Sequence, residues 1–331
     1  MNPFGRYIQI LGKGRSGMRA LSRDEAYEAM RMIACYEVEP EQLGAFLMLM
    51  RVKEESPEEV AGFTSALRES IHLSDIKFRP AVDWAAYAGK KRQLPWFMLA
   101  ALTLSARGYP VFMHGMSRTD DRLYAAQALE ALDIDSALSL RDAENQLAAS
   151  GFAYLPISKL SPLTADLIKT RELFGLRPPL HTVARMLNPF SAALSVMGVF
   201  HPNFSPIHQE AALLLEQPSA LICKGEGGEL ERVPDRAVDL YGVSDGAAWS
   251  ESWDQMVRLG REVKPEALNL YHFRMVWDGE AEDSYGENAV IGTLALLIRA
   301  LGLEVDPGSA QQLAANWWWE RHRYKPAQEA V

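Results

Sequence analysis

The sequence predicts an α/β protein with a small all-helical domain followed by a larger α/β domain built on a mostly parallel central sheet. Three observations carry that expectation. Residues 1–78 show helical periodicity without strand patterning. From Pro80 onward, short apolar segments alternate with amphipathic stretches, as strands joined by crossover helices do. The 331 residues leave room for about two domains at ~150 residues each.

Each element has a local reason. Ser22 with Glu25 three positions later forms a capping box, and Ala26, Met30 and Ile33 follow at helical spacing. Pro40 suits a first helical turn, and Leu43, Phe46, Leu47 and Met50 make an apolar stripe behind it. Ser56-Pro57 opens a third helix, with Glu58 and Glu59 in its positive first turn and Val60, Phe63 and Leu67 as its stripe. Beyond Pro80, Ala81 to Ala86 reads as a strand and Pro95 to Arg107 as a helix stopped by Gly108 and Pro110. Val111 to His114 is the next strand, Leu123 to Leu132 a helix, and Ser219 to Lys224 a strand running into Gly225-Glu226-Gly227-Gly228. A long helix covers about Glu287 to Leu301, and Asn316 to Tyr324 reads as a terminal helix packed on the body.

Composition narrows the function. The chain is 48% hydrophobic and 23% charged, with a formal net charge of -9, ordinary values for a globular protein. That charge argues against a uniformly basic surface but not against a local basic groove, because phosphate binding depends on the local field. Cys35 and Cys223 show no metal-type spacing and read as two reduced, buried thiols. No secretory signal is visible, and the most apolar run, Leu94 to Ala106, is shorter than the ~20 residues that span a bilayer. The expected location is cytoplasmic, with no membrane partner.

Four features could carry chemistry. Tyr87-Ala88-Gly89-Lys90-Lys91-Arg92-Gln93 lies between a strand and a helix, where backbone N–H groups and a helix dipole favour an anion, so it reads as a phosphate-binding turn or a solvated basic one. Lys224-Gly225-Glu226-Gly227-Gly228-Glu229-Leu230-Glu231 reads either as a carboxylate holder for Mg²⁺ or as a solvated acidic turn. His114-Gly115 closes a strand at the sheet edge where α/β proteins bind ligands. Arg171 and Arg177 can recognise a carboxylate or phosphate by paired hydrogen bonds, or simply decorate a helix surface. Apart from these four, the tail Trp317, Trp318, Trp319, Arg321, His322 and Arg323 reads as a base-stacking surface or as core or interface packing, and since three adjacent tryptophans cannot share one helix face, at least one packs inward.

The chain resembles glycosyl transferase family 3, whose helical domain anthranilate phosphoribosyltransferase shares with the pyrimidine nucleoside phosphorylases. The resemblance is carried by Glu39 to Met48, Arg51-Val52-Lys53 and Glu58 to Gly62. It continues through Val111 to Gly115, Ala128 to Leu132, Arg171 to Arg177 and Asn188-Pro189, then Gly198 to Pro202, Ala220 to Gly225 and Glu287-Asn288-Ala289. It implies a helical domain of residues 1–78 that borrows helices from about 161–189, an α/β domain of residues 79–331, and a homodimer formed through the helical domain. Departures from the family matter as much. Where its enzymes carry a glycine-rich pyrophosphate loop, this chain has Ala88-Gly89-Lys90-Lys91-Arg92-Gln93. After His114-Gly115, Met116 to Asp121 replaces an Asn-Arg pair and a serine-rich stretch. The metal-binding Asp-Glu pair matches Leu230-Glu231, with Glu229 as a stand-in, and Arg171 matches the arginine that contacts anthranilate.

These departures resemble a divergent bacterial branch linked to nucleic-acid binding. The expected site is therefore an interdomain cleft formed by Gly89, Lys90, Lys91, Arg92, His114, Gly115, Arg171 and Lys224, taking nucleic acid or a phosphate-bearing small molecule. The rival reading is a working glycosyl or phosphoribosyl transferase with a changed acceptor, for which Glu229 and Glu231 would hold Mg²⁺. A third is a scaffold that docks another protein on its aromatic tail.

Overall fold

The computed structural model describes residues 3–14, 16–71, 76–116, 122–258 and 268–322. The chain opens with four helices, α1 (Gly5–Gly12), α2 (Arg23–Ala34), α3 (Pro40–Lys53) and α4 (Pro57–Ser70). Ser22 and Ser56 cap α2 and α4 with full capping boxes to Glu25 and Glu59. Helix α1 has no counterpart in the sequence expectation. It buries only Tyr7 and Leu11 and has no capping side chain, so tertiary packing rather than local signal holds it.

Seven strands follow, in the spatial order β3-β2-β1-β4-β5-β6-β7. They are β1 (Val82–Ala86), β2 (Val111–Gly115), β3 (Phe152–Pro156), β4 (Leu194–Val199), β5 (Ser219–Lys224), β6 (Val238–Ser244) and β7 (Ala247–Trp253). The strands from β3 to β5 are parallel, and β6 and β7 add an antiparallel edge. Every residue of β1, β2 and β4 is buried, as a parallel sheet covered on both faces requires. The covering helices are α5 (Phe97–Ala106), α6 (Ala125–Ala131), α7 (Leu140–Ser150), α8 (Ile157–Leu160), α9 (Pro162–Phe174), α10 (Leu180–Ala184), α11 (Ser205–Leu214), α12 (Leu270–Asp278), α13 (Ser284–Ala300) and α14 (Pro307–Trp319).

Two large apolar clusters divide the core. One joins Val82, Trp84 and Val111 on the sheet to α5, α13 and Trp318 of α14. The other joins Phe46 and Phe63 of the first helices to Ile168, Leu180 and Leu187 around α9 and α10, and to Phe112 and Leu155 of the sheet.

Several elements differ from the sequence reading. Helix α13 starts three residues before Glu287, because Asp283 caps it by accepting from the Gly286 amide at 2.7 Å. Helix α14 starts at Pro307 with Asp306 as its cap, well before Asn316, and ends at Trp319. Trp318 is fully buried while Trp319 is 59% exposed. Cys35 is exposed at the end of α2 and Cys223 is buried in β5, so only one thiol matches expectation. Residues 117–121 after the His114-Gly115 strand, and residues 323–324 of the aromatic tail, lie outside the described residues. Among the described residues, no helix is long and apolar enough to cross a membrane.

Candidate functional site

Strand β1 pairs with β2 on one side and β4 on the other. Chain order therefore reverses between β1 and β4, and the crevice beyond the carboxyl ends of those two strands is where open α/β sheets bind ligands. The loop after β1, residues 87–93, and the segment after β4, residues 200–204, frame that crevice. The loop after β5, residues 225–231, folds back between them.

That fold-back depends on glycine. A Cβ on Gly225 would lie 1.6 Å from the Glu229 carbonyl oxygen, so no other residue fits there. Gly228, at φ +96, meets Ala88 and Phe200 and takes a backbone form that L side chains rarely adopt. The result puts the Glu229 carboxylate on the β1 loop. Its Oε1 accepts from the amides of Ala88 at 2.7 Å and Gly89 at 2.6 Å. Two backbone N–H groups aimed at one anion form an oxyanion cradle, and here a side chain of the same protein occupies it.

Glu231 does the equivalent work one step further on. Its Oε2 accepts from the Phe97 amide at 2.8 Å, at the start of α5, and its Oε1 takes the Lys90 ammonium at 2.6 Å. Glu226 pairs with the same ammonium from another side. Lys90, Glu229 and Glu231 are all buried. Burial pushes Glu229 up from the ordinary carboxylate range, against its bonds to Gly89 and Ala88 and the pull of Arg185. Burial likewise raises Glu231 to about 7, opposed by Lys90. Burial alone would lower Lys90, but Glu231 and Glu226 outweigh it, so the amine stays protonated.

These placements correct the expectation for Lys90, whose cation is neutralised inside the protein because two carboxylates lie within reach. They also correct Glu229 and Glu231 as Mg²⁺ ligands. Magnesium needs six oxygens in near-octahedral array. Both oxygens of Glu231 and one of Glu229 are already accepting, and an ammonium stands where the cation would sit. Glu229 Oε2 is buried without a hydrogen-bond partner. Among the described residues no three acidic, histidine or cysteine side chains gather for a metal. The residues as placed do not fit a resident Mg²⁺.

The remaining expected residues separate. His114 is fully buried, with Nδ1 2.7 Å from the Tyr87 hydroxyl and Nε2 3.3 Å from Asp83, so it braces the sheet edge and faces no cleft. Gly115 is packed against the Ala86 carbonyl, where a Cβ would lie 1.8 Å away. Lys224 is exposed and lines a separate hollow with Arg236 and Asp239. Gly89 is in the cradle at φ +66. Lys91 and Arg92 are exposed. Arg122 ties the β1 loop to its neighbour, donating to the carbonyls of Ala88 at 3.0 Å and Gly89 at 3.2 Å.

Arg171 lies elsewhere, in an open cleft between the α9–α10 region and the sheet edge. One lobe is lined by Arg171, Arg177, His181, Tyr87 and Tyr124. A second lobe shares Arg177 and His181 and adds Arg51, Arg185, Phe200 and His208. Arg177 is lowered by its burial and by the nearby Arg171, Arg122 and Arg185, which shows four guanidinium groups close enough to repel one another. Burial and then Arg185, Arg177 and Arg171 hold His181 down to about 3. Acids share the cleft, Glu172 in the first lobe and the buried Glu55 in the second, and Arg51 acts on Glu55 as Arg185 does on Glu229, but arginines outnumber the acids in both lobes. Sequence reasoning misses Arg51, Arg122, Arg185, His181 and His208. Arg177, His181 and Arg185 lie before, within and just after the short helix α10, so no helical period marks them, and only the crowding of basic residues between Arg171 and Arg185 in the sequence hints at the cleft.

Residues 6–71 match the helical bundle domain of a glycosyl transferase family. The chain is 30% identical over 224 residues to the anthranilate phosphoribosyltransferase of Thermus thermophilus, covering 66% of this chain and 67% of that one. It is 26% identical over 269 residues to the uncharacterized protein YbiB of Escherichia coli, covering 80% and 83%. The crystal structure of a Thermus thermophilus anthranilate phosphoribosyltransferase superposes at a TM-score of 0.79 with 22% identity, over 98% of both chains. The Saccharomyces cerevisiae enzyme in complex with PRPP and Mg superposes at 0.76 with 15% identity, over 96% of this chain and 94% of that one.

Proposed function

We propose, for a chain that belongs to the glycosyl transferase family of the anthranilate phosphoribosyltransferases, that its phosphoribosyl-donor site is closed by its own carboxylates and that the arginine-lined interdomain cleft binds a phosphate-bearing polymer, nucleic acid. The observation that carries the first half is Glu229 on the Ala88 and Gly89 amides. A pyrophosphate needs those donors free and a metal beside them, and this chain supplies a carboxylate to the donors and a lysine between Glu226 and Glu231. The second half is supported by the excess of arginines over acids in the cleft, crowded enough to repel one another, with Lys91 and Arg92 exposed on the β1 loop nearby. Buried or crowded cations without counterions are costly, and an incoming phosphate offsets that cost.

The test is an anisotropy titration with labelled single-stranded DNA. If about four phosphates are neutralised, log affinity falls against log salt with a slope of about -3, so binding weakens roughly fifty-fold between about 50 and about 200 mM salt. No binding at the lower salt disposes of the polymer reading. The same reading includes a division of the chain at residues 78 and 79 with residues 161–189 joining the helical domain, a homodimer through that domain, and a cytoplasmic location. Light scattering at two protein concentrations checks the dimer.

One observation favours a transferase instead. Arg171, the counterpart of the anthranilate-contacting arginine, lines an open lobe of the cleft. On that reading a phosphoribosyl donor displaces Glu229, whose Oε2 has no partner, and brings its own Mg²⁺. Calorimetry with millimolar phosphoribosyl pyrophosphate and Mg²⁺ decides: heat of binding supports the transferase, and its absence supports the closed site.

A further inference from the structure

The lobe at the end of β4 holds groups that no anion-binding role accounts for. His208 is 3% exposed. Its Nδ1 lies 2.8 Å from the Phe204 carbonyl. A carbonyl only accepts, so Nδ1 carries the proton. Burial holds the ring's pKa down to about 4, which keeps it neutral and leaves Nε2 with a bare lone pair. That nitrogen is buried without a partner, and so is His181 Nε2 on the facing wall. An unsatisfied buried acceptor is costly, so a ligand that donates a hydrogen bond there is favoured. A bare phosphate dianion has little to donate to it.

The surroundings extend the demand. Arg51, Arg177 and Arg185 line the same lobe against a single acid of its lining, the buried Glu55, and this excess of positive charge favours a ligand that carries an anion. Phe200 is 52% exposed at the rim, with the His201 ring 4.8 Å away, and Phe204 lies on the wall. Exposed rings beside a cationic pocket offer a stacking surface. The lobe is open to solvent and offers about 150 Å³, room for one benzene-sized ring. An anion, an N–H donor and a flat ring together describe one unit of a nucleic acid.

We infer that this lobe seats a single nucleotide, with its base against Phe200 and Phe204, an exocyclic or ring N–H on His208 Nε2, and its phosphate among Arg51, Arg177 and Arg185. The inference deepens the polymer reading and relies on it for the source of the nucleotide. It gives the cleft one fixed point from which a strand runs past Arg171 and the β1 loop.

The experiment is calorimetry of the full chain with cytidine 5′-monophosphate, adenosine 5′-monophosphate and inorganic phosphate, beside the DNA titration. At least one mononucleotide is expected to bind about ten-fold more tightly than phosphate, the worth of one added hydrogen bond and a stacked ring. His208→Leu, with its fold checked by circular dichroism, is expected to erase most of that margin and to change phosphate binding less than about two-fold. Phe200→Ala, at a half-exposed position and with its fold checked in the same way, is expected to cut mononucleotide binding several-fold. Mononucleotides no tighter than phosphate, or a margin untouched by both variants, overturn the inference. DNA binding without mononucleotide binding sinks this pocket and leaves the polymer reading standing. Mononucleotide binding without DNA binding does the reverse.

Discussion

Two regions at the same edge of the sheet use cations in opposite ways. In the β1 loop, Lys90 is wholly enclosed and held by Glu226 and Glu231, and the backbone donors beside it are held by Glu229. In the cleft along the same edge, Arg51, Arg171, Arg177 and Arg185 outnumber the acids that line it with them, Glu55 and Glu172. In the first region the enclosed charges of Lys90 and Glu231 answer each other from within the chain. The second keeps more guanidinium groups than acids, and an anion from outside would balance that excess. A run of basic residues in a sequence therefore says little about binding until the neighbouring carboxylates are counted. The net charge of -9 hides both arrangements.

The sharpest way to break this contrast is Lys90→Met. It leaves Glu226 and Glu231 facing each other without their cation, and removing one partner of a buried pair costs roughly 3–5 kcal/mol. A large fall in the urea midpoint with little change in DNA affinity is the expected result. Weakened DNA binding with an unchanged midpoint would mean that Lys90 faces ligand after all.

A smaller effect separates the regions by pH. An unfolded histidine gains its proton near 6.5, whereas His208 in the fold stays neutral down to about 4. As pH falls through that window the unfolded state takes up protons that the native state does not, so stability is lost on acidification. Relative to His208→Leu, wild type is expected to lose up to roughly 3 kcal/mol between pH 6.5 and about 4, because a full proton taken up only by the unfolded chain costs about 1.4 kcal/mol for each pH unit crossed. Denaturation curves of the two proteins at matched pH measure it, and parallel behaviour of the two would contradict the placement of that ring.

The smallest stability effect and the clearest binding effect belong to the open region. Arg171→Ala, at an exposed site, is expected to change stability by less than about 0.5 kcal/mol. Loss of one phosphate contact reduces the salt slope for a single strand by about 0.7. Lys91→Ala and Arg92→Ala are expected to act likewise, since both side chains are exposed. A slope that none of the three alters would remove the cleft from the polymer's path.

The legibility of these features in the sequence follows the range of the forces behind them. The capping boxes at Ser22 and Ser56, the start of α3 at Pro40 and the strands at Val82, Val111 and Ser219 are set by neighbours within a few residues. Helix α1, strands β3 and β4, and the β6–β7 edge carry weaker local signals and need the packed core to define them. The contact between Glu229 and the β1 loop joins positions about 140 residues apart. No periodicity announces such a meeting.

The sequence by itself determined the two-part architecture, the glycines of the acid loop and the presence of cations after β1, because propensity, capping and hydrophobic period act along the chain. Only the tertiary structure decided which cations are spent. Whether a lysine or an arginine is free to meet a phosphate depends on a carboxylate arriving within about 3 Å through space. That distance is fixed by how β1, β4 and β5 stack side by side, and not by where their residues fall in order.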